Sequence, residues 1–256
     1  MNQDELPIGV FDYRALHYRL PNERFIYLGD TARVPYGTKS LATVERYAVE
    51  NARFLARRGI KLLVVACNTA SALALPRIRQ EIGLNVIGVI GPGARRAVQL
   101  TADKKQPRIG VIATDATVSS NAYADAILKA NASAEVMHAA CPLFVPLAEE
   151  NWASEPETAS IARRYLSPLA EFRPDALVLG CTHYPILKDV IRQTIGEDVE
   201  LIDSGEAAAD EVAQVLAAEK LESRDTSISE RALCDDIDHF YVTDAAERFA
   251  RVAERF

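Results

Sequence analysis

The sequence predicts an α/β protein built of two similar parallel-sheet βαβ domains that face each other across a cleft. Three observations carry this expectation. Short apolar runs alternate with longer stretches whose apolar residues recur at three-to-four spacing. A coarse internal repeat pairs Pro7-Ile-Gly-Val-Phe-Asp12 with Pro107-Arg-Ile-Gly-Val-Ile-Ala-Thr114, each ahead of its own cysteine-bearing strand. Finally, Leu63-Val-Val-Ala-Cys67-Asn-Thr69-Ala and Leu177-Val-Leu-Gly-Cys181-Thr-His183-Tyr-Pro185 are near-copies of one local pattern. In both, an apolar run stops at a cysteine and gives way to small polar residues. Each thiol is therefore expected at the C-terminal end of a buried parallel strand, the edge at which open α/β sheets bind ligands.

Strands are predicted at Ile8–Phe11, Phe25–Leu28, Leu62–Ala66, Val86–Val89, Arg108–Ile112, Ala134–His138, Ala176–Leu179, Glu200–Ile202 and Phe240–Val242. Helices are predicted at Ser40–Arg58, Thr69–Glu81, Gly91–Thr101, Ser119–Lys129, Glu157–Glu171, Ile186–Ile195 and Glu206–Glu219, with a closing helical stretch over Ala245–Phe256. Ser223–Glu230 is polar and reads as a loop. Lys104-Lys-Gln-Pro107 marks a first crossing between domains and Asp203-Ser-Gly205 a second. The first domain thus comprises residues 1–103 and 205–256, and the second residues 104–204. One junction is awkward: Asp12 ends a strand and Tyr13-Arg-Ala-Leu-His-Tyr-Arg-Leu20 reads at once as helix, with no turn residue between them.

At 256 residues the chain can bury a large core, and 49% hydrophobic with 25% charged residues is ordinary globular composition. A net charge of −7 without a Lys/Arg cluster argues against direct nucleic-acid or anionic-membrane binding. No apolar run reaches membrane-spanning length, and the polar, acidic start lacks the apolar segment of a secretory signal, so a cytoplasmic location is expected. In that reducing compartment the four cysteines, Cys67, Cys141, Cys181 and Cys234, are expected as free thiols. With no CxxC pair, a metal site has little support.

Cys141 and Cys234 read as small core residues. Cys67 and Cys181 read as functional, because matched thiols at two strand ends suit the removal of a proton from one face of a carbon and its return on the other. Asn68 and Thr69 offer amide and hydroxyl groups to a carboxylate, and the helix start after Cys67 is expected to lower its thiol pKa. His183, two residues after Cys181, can exchange a proton with it, and Thr182 adds a hydroxyl. Asp12 is a candidate for assisting Cys67 or, equally, a helix cap. In Gly29-Asp-Thr-Ala-Arg-Val-Pro-Tyr-Gly37 the alternatives are a tight turn fixed by Asp30, or a loop placing the Tyr36 hydroxyl and a bare Gly37 N–H over an anionic ligand. Glu149 and Glu150 read as solvated.

Five segments taken together, Gly-Val-Phe-Asp12, Tyr27-Leu-Gly-Asp-Thr-Ala-Arg-Val-Pro-Tyr-Gly37, Ala66-Cys-Asn-Thr-Ala70, Val145-Pro-Leu-Ala-Glu149 and Gly180-Cys-Thr-His-Tyr-Pro185, resemble the glutamate racemases of the aspartate/glutamate racemase superfamily. The resemblance implies two α/β domains related by a pseudo-twofold axis, with the active site in the interdomain cleft. It implies cofactor-independent racemisation of glutamate, in which Cys67 takes the Cα proton of the D-enantiomer and Cys181 that of the L-enantiomer. Asp12 would support Cys67, while His183 and Glu149 would support Cys181. Tyr36, Gly37, Asn68, Thr69, Thr117 and Thr182, with Asp12 and His183, would hold the substrate. A homodimer and supply of D-glutamate for peptidoglycan synthesis are further implications. The alternatives are a racemase of another acidic amino acid or hydantoin, or a weakened enzyme acting as a regulator that binds DNA gyrase. One departure stands out. The family has Asp-Ser-Gly and a glycine-rich turn where this chain has Asp12-Tyr13, so the expectation is a loop of several residues intervening between them, which a direct peptide link would overturn.

Overall fold

The computed structural model describes residues 10–230, 232–233 and 237–247. In chain order the elements are α1 (Val10–Arg19), β1 (Ile26–Gly29), α2 (Leu41–Ala56), β2 (Leu62–Val65), α3 (Asn68–Leu73), α4 (Leu75–Glu81), β3 (Asn85–Gly88), α5 (Ile90–Leu100), β4 (Arg108–Ala113), α6 (Asp115–Ser119), α7 (Ala122–Ala130), β5 (Glu135–Ala140), α8 (Phe144–Glu149), α9 (Pro156–Phe172), β6 (Ala176–Gly180), α10 (Lys188–Ile195), β7 (Glu200–Asp203), α11 (Ser204–Glu219) and β8 (His239–Val242). The fold is α/β with parallel strands throughout its described sheets.

The later strands form one four-stranded sheet of order β5-β4-β6-β7. Its centre is apolar on both faces: Ile109, Val111, Ile112 and Ala113 of β4 and every residue of β6 are buried, as a parallel strand covered on both sides requires. On one face α9 contributes Ala162, Leu166 and Leu169 and α10 contributes Ile191 and Ile195. On the other, α5 and α7 contribute Ile90, Ala94 and Ala97, and Tyr123 and Ile127. The earlier strands form two parallel pairs, β1 with β8 and β2 with β3. Among the described residues no ladder joins β1 to β2. Both strands instead line a cavity of about 1250 Å³ that extends to Cys67 and Cys181. α2 covers β2 and β3 with a stripe of Val44, Ala48, Val49 and Ala52 at helical spacing.

The predicted strands from Phe25 onward are all present, with ends displaced by a residue or two. The first is corrected: Val10 and Phe11 form the opening turn of α1, while Ile8 and Gly9 lie outside the described residues. Asp12 and Tyr13 are consecutive within that helix, so the expectation of an intervening loop is overturned. The physical reason is local. With no turn residue before Tyr13, the helical stretch extends backward and takes in Asp12. Tyr13 anchors α1, its hydroxyl donating to Asp238 at 2.6 Å and its ring standing edge-on to Phe25 and Phe240.

Two predicted helices are each split. Thr69–Glu81 breaks at Ala74 because Pro76 lacks an N–H and restarts the helix as a first-turn residue of α4. Ser119–Lys129 breaks at Asn121, whose φ is 56°. The closing helix lies mostly outside the described residues, as does Cys234. Gly180 is required by close packing, since a β-carbon there would lie 2.7 Å from the Ile112 carbonyl oxygen and 3.0 Å from the Tyr123 ring. Gly180→Ala is therefore expected to cost about 1–3 kcal/mol in urea unfolding, as overpacked cores do. Gly83→Ala, whose β-carbon meets nothing within 4 Å, is the control expected to stay near wild type.

Candidate active site

Parallel strands deliver their following residues to one edge, and the candidate residues collect there. Cys67 follows β2, caps the N-terminus of α3 and accepts the Ala70 N–H through Sγ at 3.5 Å. Cys181 directly follows β6. Asp12 reaches the same place from α1. All three line the cavity, together with Tyr36, Gly37, Asn68, Thr69, Glu149, Thr182 and His183. Of the predicted site residues only Thr117 stands behind this lining, buried beneath Thr69.

On the Cys181 side the partners form a chain. His183 Nδ1 lies 3.6 Å from Cys181 Sγ, and His183 Nε2 lies 3.3 Å from Glu149 Oε1. Glu149, read from local sequence as solvated, is thus brought across from the end of α8 to orient the imidazole. Tyr184 fixes the turn by donating to the Cys141 carbonyl at 2.9 Å, and Cys141 is a fully buried core residue as expected.

On the Cys67 side three threonine hydroxyls form a closed triangle: Thr69 to Thr114 at 3.0 Å, Thr69 to Thr117 at 3.3 Å and Thr114 to Thr117 at 3.1 Å. Thr114 also packs against Gly37, where a β-carbon would lie 2.8 Å away. Asn68 is held from behind, its Oδ1 accepting from Tyr123 at 2.6 Å and its Nδ2 lying 3.3 Å from Ser204 Oγ.

The loop after β1 corrects one expectation. The Tyr36 hydroxyl donates to Asp30, and the same carboxylate takes Arg33 at 2.8 Å, Thr243 at 2.9 Å and Asn51 at 3.2 Å. The carboxylate is the strongest acceptor within reach and is satisfied by side chains, so this hydroxyl is committed to the scaffold and not to the cleft. Tyr36 and Gly37 both line the cavity all the same.

Burial dominates the electrostatics. It raises the Asp12 carboxyl well above its ordinary value, and the neighbouring Asp203 adds to the effect. Asp12 Oδ2 is buried without a hydrogen-bond partner, and among the described residues no Lys or Arg pairs with Asp12. Burial also raises the Cys67 thiol; the Ala70 and Thr69 N–H groups at the helix start pull it down as expected, but burial outweighs them. Cys181 is pushed up to about 12 by burial, against the opposing pull of the His183 N–H. Among the described residues no cluster of three or more His, Cys, Asp or Glu side chains is placed to hold a metal ion. None of their helices is long and apolar enough to cross a membrane.

Comparison with known proteins accords with this geometry. The profile of the Asp/Glu/hydantoin racemases matches residues 13–212. A glutamate racemase of Geobacter metallireducens is 51% identical, over 97% of this chain and 92% of its own. The crystal structure of a Bacillus anthracis glutamate racemase isoform superposes with a TM-score of 0.87 at 33% identity, covering 97% of this chain and 90% of that one. One from Francisella tularensis, in complex with D-glutamate, superposes with a TM-score of 0.84 at 39% identity, covering 96% and 88%. The chain belongs to the Asp/Glu/hydantoin racemase family, among its glutamate racemases. It is accordingly an isomerase with the two-domain racemase fold.

Within this racemase, sequence reasoning missed Thr114, Tyr123 and Ser204. Thr114 carried a weak signal, for it directly follows β4 at the strand edge and lines the cavity. Tyr13, which follows Asp12, has its hydroxyl committed to Asp238.

A carboxyl whose folded-state pKa is raised contributes stability that is present below its ordinary pKa of about 3.9 and lost as pH rises through the folded value. Asp12→Asn is therefore expected to unfold at a Tm above wild type near neutral pH, by roughly 2–4 °C for each 1 kcal/mol recovered. Thermal melts should show the gap closing as pH falls toward 4. A variant less stable than wild type at neutral pH would contradict this account of Asp12.

Proposed function

We propose that this racemase interconverts L- and D-glutamate by a two-thiol, cofactor-independent mechanism. The observation that carries the proposal is the convergence of Cys67 and Cys181 from two different sheets on one cavity, with Asp12 buried beside them. With D-glutamate bound, the Cys67 thiolate takes the Cα proton and becomes a thiol. The electron pair of the broken C–H bond moves into the α-carboxylate, giving a planar dianion. The Cys181 thiol then delivers its proton to the opposite face, leaving L-glutamate and a Cys181 thiolate. The reverse turnover runs from that state, so one thiol and one thiolate alternate across the substrate.

The developing charge needs preorganised donors in a dry cleft. On this reading the N–H groups at the start of α3 and the hydroxyls of Thr69 and Thr182 hold the α-carboxylate, and Tyr36 and Gly37 hold the side-chain carboxylate. Asp12 is suited to the substrate ammonium, the cation its buried oxygen lacks. His183, oriented by Glu149, serves Cys181 as a proton partner. On the same reading residues 1–103 with 205–256 and residues 104–204 are the two domains, the four-stranded sheet being confined to positions 108–203. The family resemblance further supports a cytoplasmic homodimer whose D-glutamate enters peptidoglycan synthesis.

The test follows deuterium from D₂O into each enantiomer, with no added cofactor. Wild type is expected to place deuterium at Cα with inversion from either enantiomer. Cys67→Ser and Cys181→Ser should each lose roughly 10²–10⁴-fold in racemisation. Cys67→Ser should still label L-glutamate with retention, and Cys181→Ser should do so only with D-glutamate. Labelling of both enantiomers by either single variant would overturn the assignment of bases.

Aspartate, one methylene shorter, is expected to turn over roughly 10–200-fold less efficiently than glutamate. Equal or faster turnover of aspartate or of a hydantoin would move the substrate assignment to those relatives.

A further inference from the structure

The side chain that ties the two thiol-bearing strand ends together is Tyr123, on α7. It is 1% exposed. Its hydroxyl donates to Asn68 Oδ1 at 2.6 Å, and Asn68 is the residue after Cys67. Its ring packs against Gly180, the residue before Cys181, where an added β-carbon would lie 3.0 Å from Tyr123 Cε2. One rigid phenol therefore touches the immediate chain neighbours of both thiols, hydroxyl toward one and ring edge toward the other.

The surroundings keep the phenol in that pose. Ser204, at the start of α11, lies within hydrogen-bond distance of Asn68 and donates to the Leu179 carbonyl of β6 at 3.3 Å. It thus repeats the link between the Asn68 turn and the β6 end. Gly93 of α5 opens the space both side chains occupy, since a β-carbon there would meet Ser204 Cβ and Tyr123 Cε1 at 3.4 Å. Burial keeps the phenol protonated, so it remains a donor. A tyrosine hydroxyl facing a buried amide oxygen satisfies a group that would otherwise be stranded, and the ring resists compression as no aliphatic chain does.

We infer that Tyr123 is a positioning residue that sets the separation and relative orientation of the Cys67 and Cys181 strand ends. The inference rests on the two-thiol reading above for its catalytic meaning, but not for its geometry. A racemase whose bases must reach one carbon from opposite faces tolerates little error in their spacing. A spacer bonded to one strand end and wedged against the other meets that need without touching substrate.

The test measures the spacing directly and then its catalytic effect. A graded series of bis-electrophiles is applied to wild type and Tyr123→Phe, and Cys67–Cys181 bridging is read by peptide mapping. The variant keeps the ring and loses only the bond to Asn68. Wild type is expected to select a narrow range of linker spans. Tyr123→Phe should broaden or shift that range, while mono-alkylation of each thiol stays within about twofold of wild type.

In glutamate turnover Tyr123→Phe should lower kcat at least tenfold from either enantiomer, leave KM within about threefold and unfold close to the wild-type Tm. If Tyr123→Phe does not fold, Ser204→Ala, which loosens Asn68 from its other side, is read in the same way. Unchanged bridging and unchanged kcat in the folded variant would overturn the inference. Bridging that shifts in a protein unable to racemise glutamate would uphold the spacer and overturn the proposed reaction.

Discussion

The cleft is governed by the cost of holding ionisable groups away from water. Asp12, Cys67 and Cys181 meet where strand ends converge, and for each of them burial is the largest influence and acts toward the neutral form. Opposing dipoles are present, at the N-terminus of α3 and at the His183 N–H, and they do not win. Burial accordingly biases all three acids toward their neutral forms. On the proposed mechanism a zwitterion changes this balance, for its ammonium supplies the cation that Asp12 lacks among the described residues while its carboxylates take the backbone and hydroxyl donors. On that mechanism the substrate thus completes the electrostatics that its own deprotonation requires, and a buried thiol becomes able to act as base.

The sheets make this arrangement attainable. Parallel strands place their outgoing residues on one edge, so Cys67, Thr114 and Cys181 arrive at the cleft without long loops. The register of β4 on β6 sets Ala113 beside Gly180, and hence Thr114 and Cys181 leave adjacent strands together. Behind this edge lies a dense layer of buried hydrogen bonds between the thiol strand ends and α7, α6 and α11. The outer layer is Asp30, whose carboxylate fastens the loop carrying Tyr36 and Gly37.

What the sequence reveals divides by the range of the interaction. Cys67 and Cys181 were legible because an apolar run that halts at a small polar cluster is a local pattern, and the α/β class follows from the same alternation. α1 was misread where a strand-like run lost to a helix with no turn to stop it. Glu149 was solvated by local appearance and entered only through family resemblance, since its partner His183 lies 34 residues away. Tyr123 and Ser204 gave no signal, for they meet Asn68 across 55 and 136 residues. Tyr36 was rightly placed at the cleft, but its hydroxyl was misassigned because the competing acceptor, Asp30, shares its loop and is met only after folding.

The most direct measurement is the titration of the two thiols in the ligand-free protein, followed by ultraviolet thiolate absorbance as the difference between wild type and each of Cys67→Ser and Cys181→Ser. The account predicts that both thiols titrate above the ordinary cysteine value of about 8.5 and that saturating glutamate brings one of them down. A full thiolate at either position at neutral pH, with no ligand present, would contradict it.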